Sequence, residues 1–235
     1  FITGADFGVM HDDLLLMKQY SKYIVGLAVD PTHYTVLGLL HGIGACLEEV
    51  FGTEDLAGRS FAVQGLGKIG AELVRKLAPR AEKVFVCDPD EKKVQAIQKA
   101  FSNVIVIPPS EIFYQEADVY CPAAFGGVFT SENVSSLACK IIAGGANNQL
   151  QTNEVGDLLF ERGILYAPDY VINAGGLISV VEEYENLNTS GEHVMHKVNN
   201  IKETLRLILS ESKRLKKPTH RIADDMAQKQ FAAFE

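Results

Sequence analysis

Short apolar runs alternate with segments of helical periodicity through the middle of the chain. Strand-like apolar runs occur at 60–64, 83–87, 104–107, 117–121, 141–143 and 164–167. Between them, apolar residues recur every three or four positions, which predicts helices at about 68–79, 90–102, 131–138 and 153–162. This alternation predicts an α/β fold of the Rossmann type, in which a doubly wound parallel sheet carries helices on both faces.

The chain on either side of this alternation is predicted to be mainly helical. Residues 1–9 are the exception, since they form a strand-like run. The periodicity predicts helices at about 11–20, 35–50, 171–184, 194–215 and 218–231. Between the third and the fourth of these helices, the polar residues 186–192 predict a mobile loop.

Three glycines follow the first strand of the alternation in the spacing G-x-G-x-x-G, where that strand turns into a helix. In this setting the first glycine permits a tight turn, the second lets the backbone approach a pyrophosphate, and the third lets helix and strand pack closely. The N–H groups and the dipole at the helix start attract the anion. A tight turn without a ligand is the alternative. The residues predicted to bind a dinucleotide here are Gly65, Leu66, Gly67, Lys68, Ile69 and Gly70.

A carboxylate at the end of the second strand supports the same prediction. Asp88 follows Gly70 by 18 residues, where a Rossmann fold places the acid that accepts hydrogen bonds from the adenosine ribose. Such an acid repels a 2′-phosphate and therefore favours NAD over NADP, although Lys92 and Lys93 lie nearby in the sequence. The alternative for Asp88 is a turn residue ahead of Pro89.

Composition and charge narrow the class of protein. The 235 residues are 47% hydrophobic and 22% charged, which is typical of a globular protein with a sizeable core. The formal net charge of −8, without a basic stripe, argues against nucleic acid or an anionic membrane as a partner. No apolar run approaches the ~20 residues that cross a bilayer, and no signal peptide is visible.

Cysteine and histidine spacing bears on metals and on the cellular compartment. The four cysteines are spread out without a C-x-x-C pair, which predicts a reduced, cytoplasmic protein without a cysteine-built zinc site. Among the histidines only His193 and His196 have ligand-like spacing, and two ligands without a third make a poor site. We therefore predict no metal site.

Several stretches, taken together, identify a family resemblance. They are Gly4–Gly8, Val63–Gly70, Cys121–Gly127, Ala143–Leu150 and Tyr166–Gly176. The chain resembles the Glu/Leu/Phe/Val amino-acid dehydrogenase family from Phe1 almost to its C-terminus, and it looks most like the leucine dehydrogenases of that family. Within these stretches it departs from them at Gly145, where they usually carry serine.

The resemblance implies roles for individual residues. Asp6 matches the family's catalytic aspartate, which exchanges a proton with the substrate nitrogen, and Thr35 matches a threonine near the nicotinamide. Asn173 matches the asparagine that orients the amino-acid carboxylate. Taken alone, Asp6 would be a turn carboxylate and Asn173 a helix cap. The positions that match residues bordering the cofactor's ribose and nicotinamide are Ala123, Ala146 and Asn147.

The reaction that the resemblance implies is NAD-dependent oxidative deamination of an L-amino acid to a 2-oxo acid and ammonia. Hydride leaves the α-carbon for the nicotinamide and water attacks the resulting imine, while the protein positions groups and moves protons. A branched-chain or aromatic substrate is expected, with leucine favoured. A non-catalytic NAD-binding protein and a glutamate dehydrogenase are the alternatives.

Two lysines of the family have no match here. One is catalytic and lies in a glycine-rich motif, and the other grips the substrate carboxylate; the sequence has no Gly-Gly-x-Lys stretch. We therefore expect 1–34 to be the tail of a substrate domain, 35–193 an NAD-binding domain and 194–235 C-terminal helices. Such a chain is expected to bind NAD but to be inactive alone, and the full-length form is expected to be a homo-oligomer.

Overall fold

A single parallel sheet organises the molecule. The computed structural model describes residues 1–4, 6, 8–186 and 191–232. Every pair of neighbouring strands is parallel, and their order across the sheet is β3-β2-β1-β4-β5-β6. The predicted α/β fold is therefore confirmed. The strands are β1 (Ser60–Gln64), β2 (Lys83–Cys87), β3 (Val104–Val106), β4 (Ala117–Pro122), β5 (Cys139–Ile142) and β6 (Leu165–Tyr166).

Helices alternate with the strands, and further helices precede the first strand and follow the last one in the sequence. Two short 3₁₀ helices, Ile112–Tyr114 and Val134–Ser136, also occur in the described residues. The α-helices there are α1 (His11–Lys18), α2 (Pro31–Phe51), α3 (Lys68–Leu77), α4 (Glu91–Ala100), α5 (Asn153–Glu161), α6 (Asp169–Ile172), α7 (Gly175–Glu185), α8 (Gly191–Leu215) and α9 (Thr219–Ala232).

The predicted helix at 131–138 is wrong, because only one 3₁₀ turn forms there, at Val134–Ser136. Thr130 N–H donates to Asn133 Oδ1 at 2.9 Å, and Asn133 Nδ2 donates to Val128 O at 2.8 Å. Side-chain bonds of this kind compete with the helical backbone ladder, which accounts for the missing helix.

Two predictions concern segments outside the alternating strands and helices, namely the strand at 1–9 and the loop at 186–192. Of the described residues among 1–9, only Thr3 makes a β-bridge, with Ile24, so the predicted strand is wrong there. The predicted loop at 186–192 lies largely outside the described residues, and its last two positions already belong to α8. The division at 34 and 193 stays a prediction.

The topological switch point of the sheet lies between β1 and β4. From β1 the chain passes through α3 to β2 on one side, and after β3 it returns to β4 on the other side of β1. Ligands of open α/β sheets bind in the crevice outside the carboxyl ends of the strands at such a point. The loops that follow β1, β2, β4 and β5 are therefore the parts of the fold that define a site.

Both faces of the sheet are buried. Along β1, Phe61 and Val63 belong to the larger core beneath α2 and α3, whereas Ala62 belongs to a second core on the opposite face. This alternation follows from the period of two in a strand. The second core contains Tyr120 and Phe129, whose ring centroids are 5.8 Å apart in an edge-on arrangement.

The long helix α2 starts and stops at recognisable signals. The Asp30 side chain accepts a hydrogen bond from Thr32 N–H at 2.9 Å, and Pro31 occupies the first turn. At the other end, Gly52 adopts the left-handed conformation with φ 75°. The helix therefore begins before the predicted Thr35, at the Asp-Pro pair.

Packing accounts for the apolar character of α2. Although α2 is not an uninterrupted apolar run, it is the one helix among the described residues that could cross a bilayer by length and composition alone, and half of its most apolar stretch is buried inside the protein. A Cβ on Gly38 would lie 2.8 Å from Ile172 O, and a Cβ on Gly42 would lie 2.5 Å from Ile172 Cγ2. Glycine at these positions lets α2 pack directly against α6, just ahead of Asn173.

We expect Gly42→Ala to destabilise the fold by about 1–3 kcal/mol, because the added methyl overlaps the Ile172 side chain. Gly44→Ala is the matched control in the same helix. Its methyl would meet only Glu54, at 3.6 Å, so this change should stabilise the helix by about 0.5–1 kcal/mol. Urea unfolding measures both changes, and equal shifts in one direction would contradict this description of the interface.

Candidate functional site

The glycine loop has the close backbone contacts that its spacing predicts. Gly65 adopts φ +98°, and its N–H donates to Cys87 O at 2.9 Å, so the chain turns sharply at the end of β1. A Cβ on Gly70 would lie 1.9 Å from Gly65 O. Glycine is therefore required at 70 for α3 to start directly against the turn.

Gly67 faces open space. A Cβ built on this residue would have no atom within 4 Å among the described residues. Gly67 is also the N-cap of α3, so the N–H groups of Lys68 and Ile69 lie in the first helical turn, where backbone donors lack partners within the helix. Open space beside such donors fits a phosphate group, and the Lys68 side chain is exposed beside it.

Asp88, directly after β2, forms a hydrogen bond to the glycine loop. Its Oδ2 accepts a hydrogen bond from Leu66 N–H at 2.6 Å, and its Oδ1 accepts one from Asp90 N–H at 2.9 Å. Lys93 Nζ lies 4.0 Å from Oδ1. Each carboxylate oxygen can accept a second bond, so these contacts still permit a ribose hydroxyl, although only 8% of the side chain is exposed.

Two further features affect the chemistry of this loop. Burial raises the pKa of the Cys87 thiol to about 11, so it is uncharged at neutral pH and Asp88 supplies the local negative charge. The side chain of Leu66 is buried in the core, so only its backbone is available to the site.

The loop after β4 connects the glycine loop to the loop after β5. Ala123 N–H donates to Gln64 O at 2.8 Å, and Ala146 N–H donates to Pro122 O at 2.9 Å. A Cβ on Gly144 would lie 2.3 Å from that same Pro122 oxygen. The ends of β1, β4 and β5 are therefore tied together by backbone contacts, with Ala123 and Ala146 on adjacent loops.

A buried amide and a buried carboxylate hold the loop after β5. Gln149 Nε2 donates to Gly144 O at 2.8 Å and to Ala146 O at 2.9 Å. Its backbone N–H donates to Asp169 Oδ2 at 3.0 Å, and Tyr170 N–H donates to Asp169 Oδ1 at 2.9 Å. Gln149 thus fixes the shape of the loop, and Asp169 joins that loop to α6.

Asn147 and Asn173 meet at the end of this connection. Asn173 Nδ2 donates to Asn147 Oδ1 at 2.7 Å, although the two residues are 26 positions apart. The structure therefore brings together one residue predicted to contact the cofactor and one predicted to contact the substrate.

Thr35 lies beside the turn that follows Asn173. Thr35 Oγ1 donates to Pro31 O at 2.8 Å, and a Cβ on Gly176 would lie 2.4 Å from Thr35 Oγ1. Gly175 is packed more tightly still, since a Cβ there would lie 1.9 Å from Tyr34 O. The glycine pair therefore seats the start of α7 on the first turn of α2 and positions Thr35.

Asp6 lies apart from these loops in the chain. It is exposed, and its backbone oxygen accepts a hydrogen bond from Val9 N–H at 3.0 Å. Both neighbours of Asp6 fall outside the described residues. The catalytic role of Asp6 therefore stays a prediction.

Packing explains the glycine at 145. A Cβ there would lie 2.7 Å from Ile69 Cγ2 and 3.1 Å from Leu39 Cδ1. The side chains of α2 and α3 thus fill the space that a serine side chain would need. The departure from the resemblance at this position reflects core packing beneath the loop.

Sequence reasoning missed Gln149 and Asp169 as site-forming residues. Both lie within stretches that carry the family resemblance, but neither has a spacing that reveals its partner. They can be recognised only in the folded structure, as buried polar side chains: Gln149 is fully buried and Asp169 is 5% exposed. Buried polar groups of this kind are retained when they form hydrogen bonds.

Comparison with protein families gives one clear match. Residues 86–233 match the family model described as Glutamate/Leucine/Phenylalanine/Valine dehydrogenase. The matched region runs from the end of β2 to the C-terminal helix and includes Asp88, Asn147 and Asn173.

Individual relatives point in the same direction. The chain is 43% identical to a phenylalanine dehydrogenase of Bacillus thermotolerans over 80% of this chain and 52% of that protein. It is 34% identical to a leucine dehydrogenase of Bacillus cereus over 100% of this chain and 65% of that protein. The chain therefore spans about half to two thirds of the length of these relatives.

A solved structure shares both fold and sequence. The crystal structure of L-tryptophan dehydrogenase from Nostoc punctiforme superimposes with a TM-score of 0.87 at 37% identity, over 99% of this chain and 68% of that one. The likeness therefore covers the glycine loop, the loops after β4 and β5, and the C-terminal helices.

We expect Gln149→Leu to destabilise the protein by about 2–4 kcal/mol, because Gly144 O and Ala146 O lose their donor inside the protein. Gln98→Leu, at an exposed position of α4, is the matched control and should change stability by less than about 0.5 kcal/mol. Urea unfolding followed by circular dichroism measures both. Similar stabilities for the two variants would show that Gln149 does not hold the loop.

Proposed function

Because the chain belongs to the Glutamate/Leucine/Phenylalanine/Valine dehydrogenase family, we propose that the protein is an NAD-dependent amino-acid dehydrogenase that oxidatively deaminates an apolar L-amino acid. The contact between Asn147 and Asn173 carries the proposal, since it joins the cofactor loop to the turn expected to hold the substrate.

NAD is the cofactor that the family and the Rossmann-type fold support. The open space at Gly67 and the first turn of α3 would take the pyrophosphate, and Asp88 would take the adenosine ribose. A carboxylate at that position disfavours the 2′-phosphate of NADP. When bound, NAD supplies the hydride acceptor of the reaction.

Asn173 would orient the carboxylate of the amino acid. A side-chain amide has two N–H donors, and Asn173 uses one of them on Asn147 Oδ1. The second remains to donate to a substrate carboxylate. Holding the two asparagines in one pair would fix the amino acid relative to the nicotinamide, which is how positioning lowers a reaction barrier.

Helix α7 supports an apolar substrate side chain. Leu177, Val181 and Tyr184 recur at helical spacing after Asn173, and they are 67%, 40% and 44% exposed. The helix contains no lysine or arginine to pair with the side-chain carboxylate of glutamate. We therefore place branched-chain and aromatic substrates above glutamate, and the resemblance to leucine dehydrogenases favours leucine among them.

Proton transfer would involve Asp6. A carboxylate can take a proton from the substrate nitrogen as the amino acid is oxidised and return it later. Asp6 belongs to a segment tied to the rest of the chain at Thr3, whose N–H donates to Tyr23 O at 3.0 Å. In turn, Gly26 N–H donates to Glu183 Oε2 of α7 at 2.9 Å, which links that segment to the substrate side of the site.

The proposal also extends to assembly. We expect the full-length form to be a homo-oligomer, as the family resemblance suggests, and size-exclusion chromatography with light scattering measures its mass directly. A monomer across micromolar concentrations would contradict this part of the proposal and leave the cofactor site unaffected.

We expect Gly67→Ala to weaken NADH binding by about tenfold or more, equivalent to roughly 1.4 kcal/mol. The methyl would occupy the open space proposed for the pyrophosphate, while the fold stays intact because no described atom lies within 4 Å. Gly44→Ala, whose methyl lies in α2, is the control and should bind NADH normally. NADH titration by fluorescence measures the affinities, and unchanged binding by Gly67→Ala would contradict the proposed site.

We expect the complete gene product to reduce NAD with L-leucine, and Asn173→Ala to raise the KM for the amino acid by roughly 10- to 100-fold through the lost carboxylate hydrogen bond. Asn200→Ala, at an exposed position of α8, is the matched control. Absorbance at the NADH band follows turnover with leucine, valine, phenylalanine, tryptophan and glutamate. Turnover of none of them would favour a non-catalytic NAD-binding protein, and turnover of glutamate alone would contradict the apolar assignment.

A further inference from the structure

One aromatic residue beside the crevice is far more exposed than its neighbours. Phe125 lies in the loop after β4 and is 74% exposed. The two aromatic residues that flank this loop, Tyr120 and Phe129, are 1% and 0% exposed and form part of the second core. Phe125 therefore lies outside the second core, with most of its surface accessible.

The backbone on both sides of Phe125 is fixed by close contacts. On one side, a Cβ on Gly65 would lie 2.9 Å from Ala124 Cβ. On the other, a Cβ on Gly126 would lie 2.4 Å from Asn147 O, and Gly127 N–H donates to Asn148 O at 2.6 Å. Phe125 is thus held between the glycine loop and the loop that carries Asn147.

This position corresponds to one end of a dinucleotide. Asp88 lies at the end of β2, on the side of β1 where a Rossmann fold holds the adenosine. Phe125 follows β4, on the opposite side of the switch point, next to the loop that meets Asn173. A dinucleotide that crosses the crevice from Asp88 therefore brings its nicotinamide end toward Phe125.

We propose that Phe125 packs against the nicotinamide end of bound NAD and shields it from water; this inference rests on the proposed function. An aromatic ring contributes apolar area and a stacking surface at low cost in conformational entropy when its backbone is fixed beforehand. Phe125 is then a residue that binds and positions the cofactor, and it takes no part in proton transfer.

The test compares two ligands that differ in one end. NADH carries the nicotinamide, and ADP-ribose carries the adenosine and pyrophosphate without it. We expect Phe125→Ala to weaken NADH binding by about three- to tenfold while leaving ADP-ribose binding unchanged. The chain contains no tryptophan, so the rise in NADH fluorescence on binding reports the nicotinamide environment directly, and Phe125→Ala should reduce that rise.

Two variants serve as controls. Phe231→Ala removes an equally exposed phenylalanine, at 75%, from α9 far along the chain, and it should change neither ligand's affinity. Phe125→Tyr retains the ring and should keep the NADH affinity of the unaltered chain.

The outcomes separate this inference from the proposed function. If the unaltered chain binds neither ligand, the NAD site is wrong and the inference falls with it. If the chain binds both ligands and Phe125→Ala binds both as before, only the role of Phe125 is wrong. Equal weakening of NADH and ADP-ribose would indicate a damaged loop, which would also overturn a specific contact with the nicotinamide.

Discussion

The close approach of backbone segments at the carboxyl ends of β1, β4 and β5 is the constraint on which the rest of the structure depends. A Cβ at Gly144 or Gly126 would lie 2.3 or 2.4 Å from a backbone oxygen of a neighbouring segment, and a Cβ at Gly70 would lie 1.9 Å from Gly65 O within the glycine loop. Real Cβ atoms cannot approach so closely, so these positions require glycine for steric reasons. Removing side chains here lets three loops converge on one crevice at the switch point of the sheet.

Polar groups then hold the converged loops in one arrangement. Asp88 accepts the N–H of Leu66 in the glycine loop, and Gln149 donates to two carbonyl oxygens of the loop after β5. Asp169 joins that loop to α6 through the backbone of Gln149. Because both side chains of the Gln149–Asp169 pair are buried, each bond resists competition from water. The crevice is therefore preorganised for the dinucleotide and amino acid proposed to bind there.

Local signals predicted much of this arrangement. The bounds of β1 and β2 agree with the sequence pattern, because each strand is a short apolar run bounded by turn residues. The glycine spacing also predicted the sharp turn after β1, where Gly65 adopts φ +98°, and Asp88 follows directly after β2 as expected. The helix expected at 131–138 failed because the Asn133 side chain bonds the backbone, an outcome that apolar periodicity does not report.

Contacts between distant residues could not be predicted in this way. The pairing of Asn147 with Asn173 and the hydrogen bond from Gln149 N–H to Asp169 depend on how β5 and β6 are aligned, which no single stretch encodes. The exposure of Phe125 likewise becomes visible only once its flanking glycines are seen against Gly65 and Asn147.

A crystal structure of the chain with NADH tests the central claim most directly. The account predicts the pyrophosphate over Gly67, within hydrogen-bond distance of N–H groups in the first turn of α3, with the adenosine ribose on Asp88. A dinucleotide bound elsewhere, or a crevice filled by other segments of the chain at saturating NADH, would contradict it.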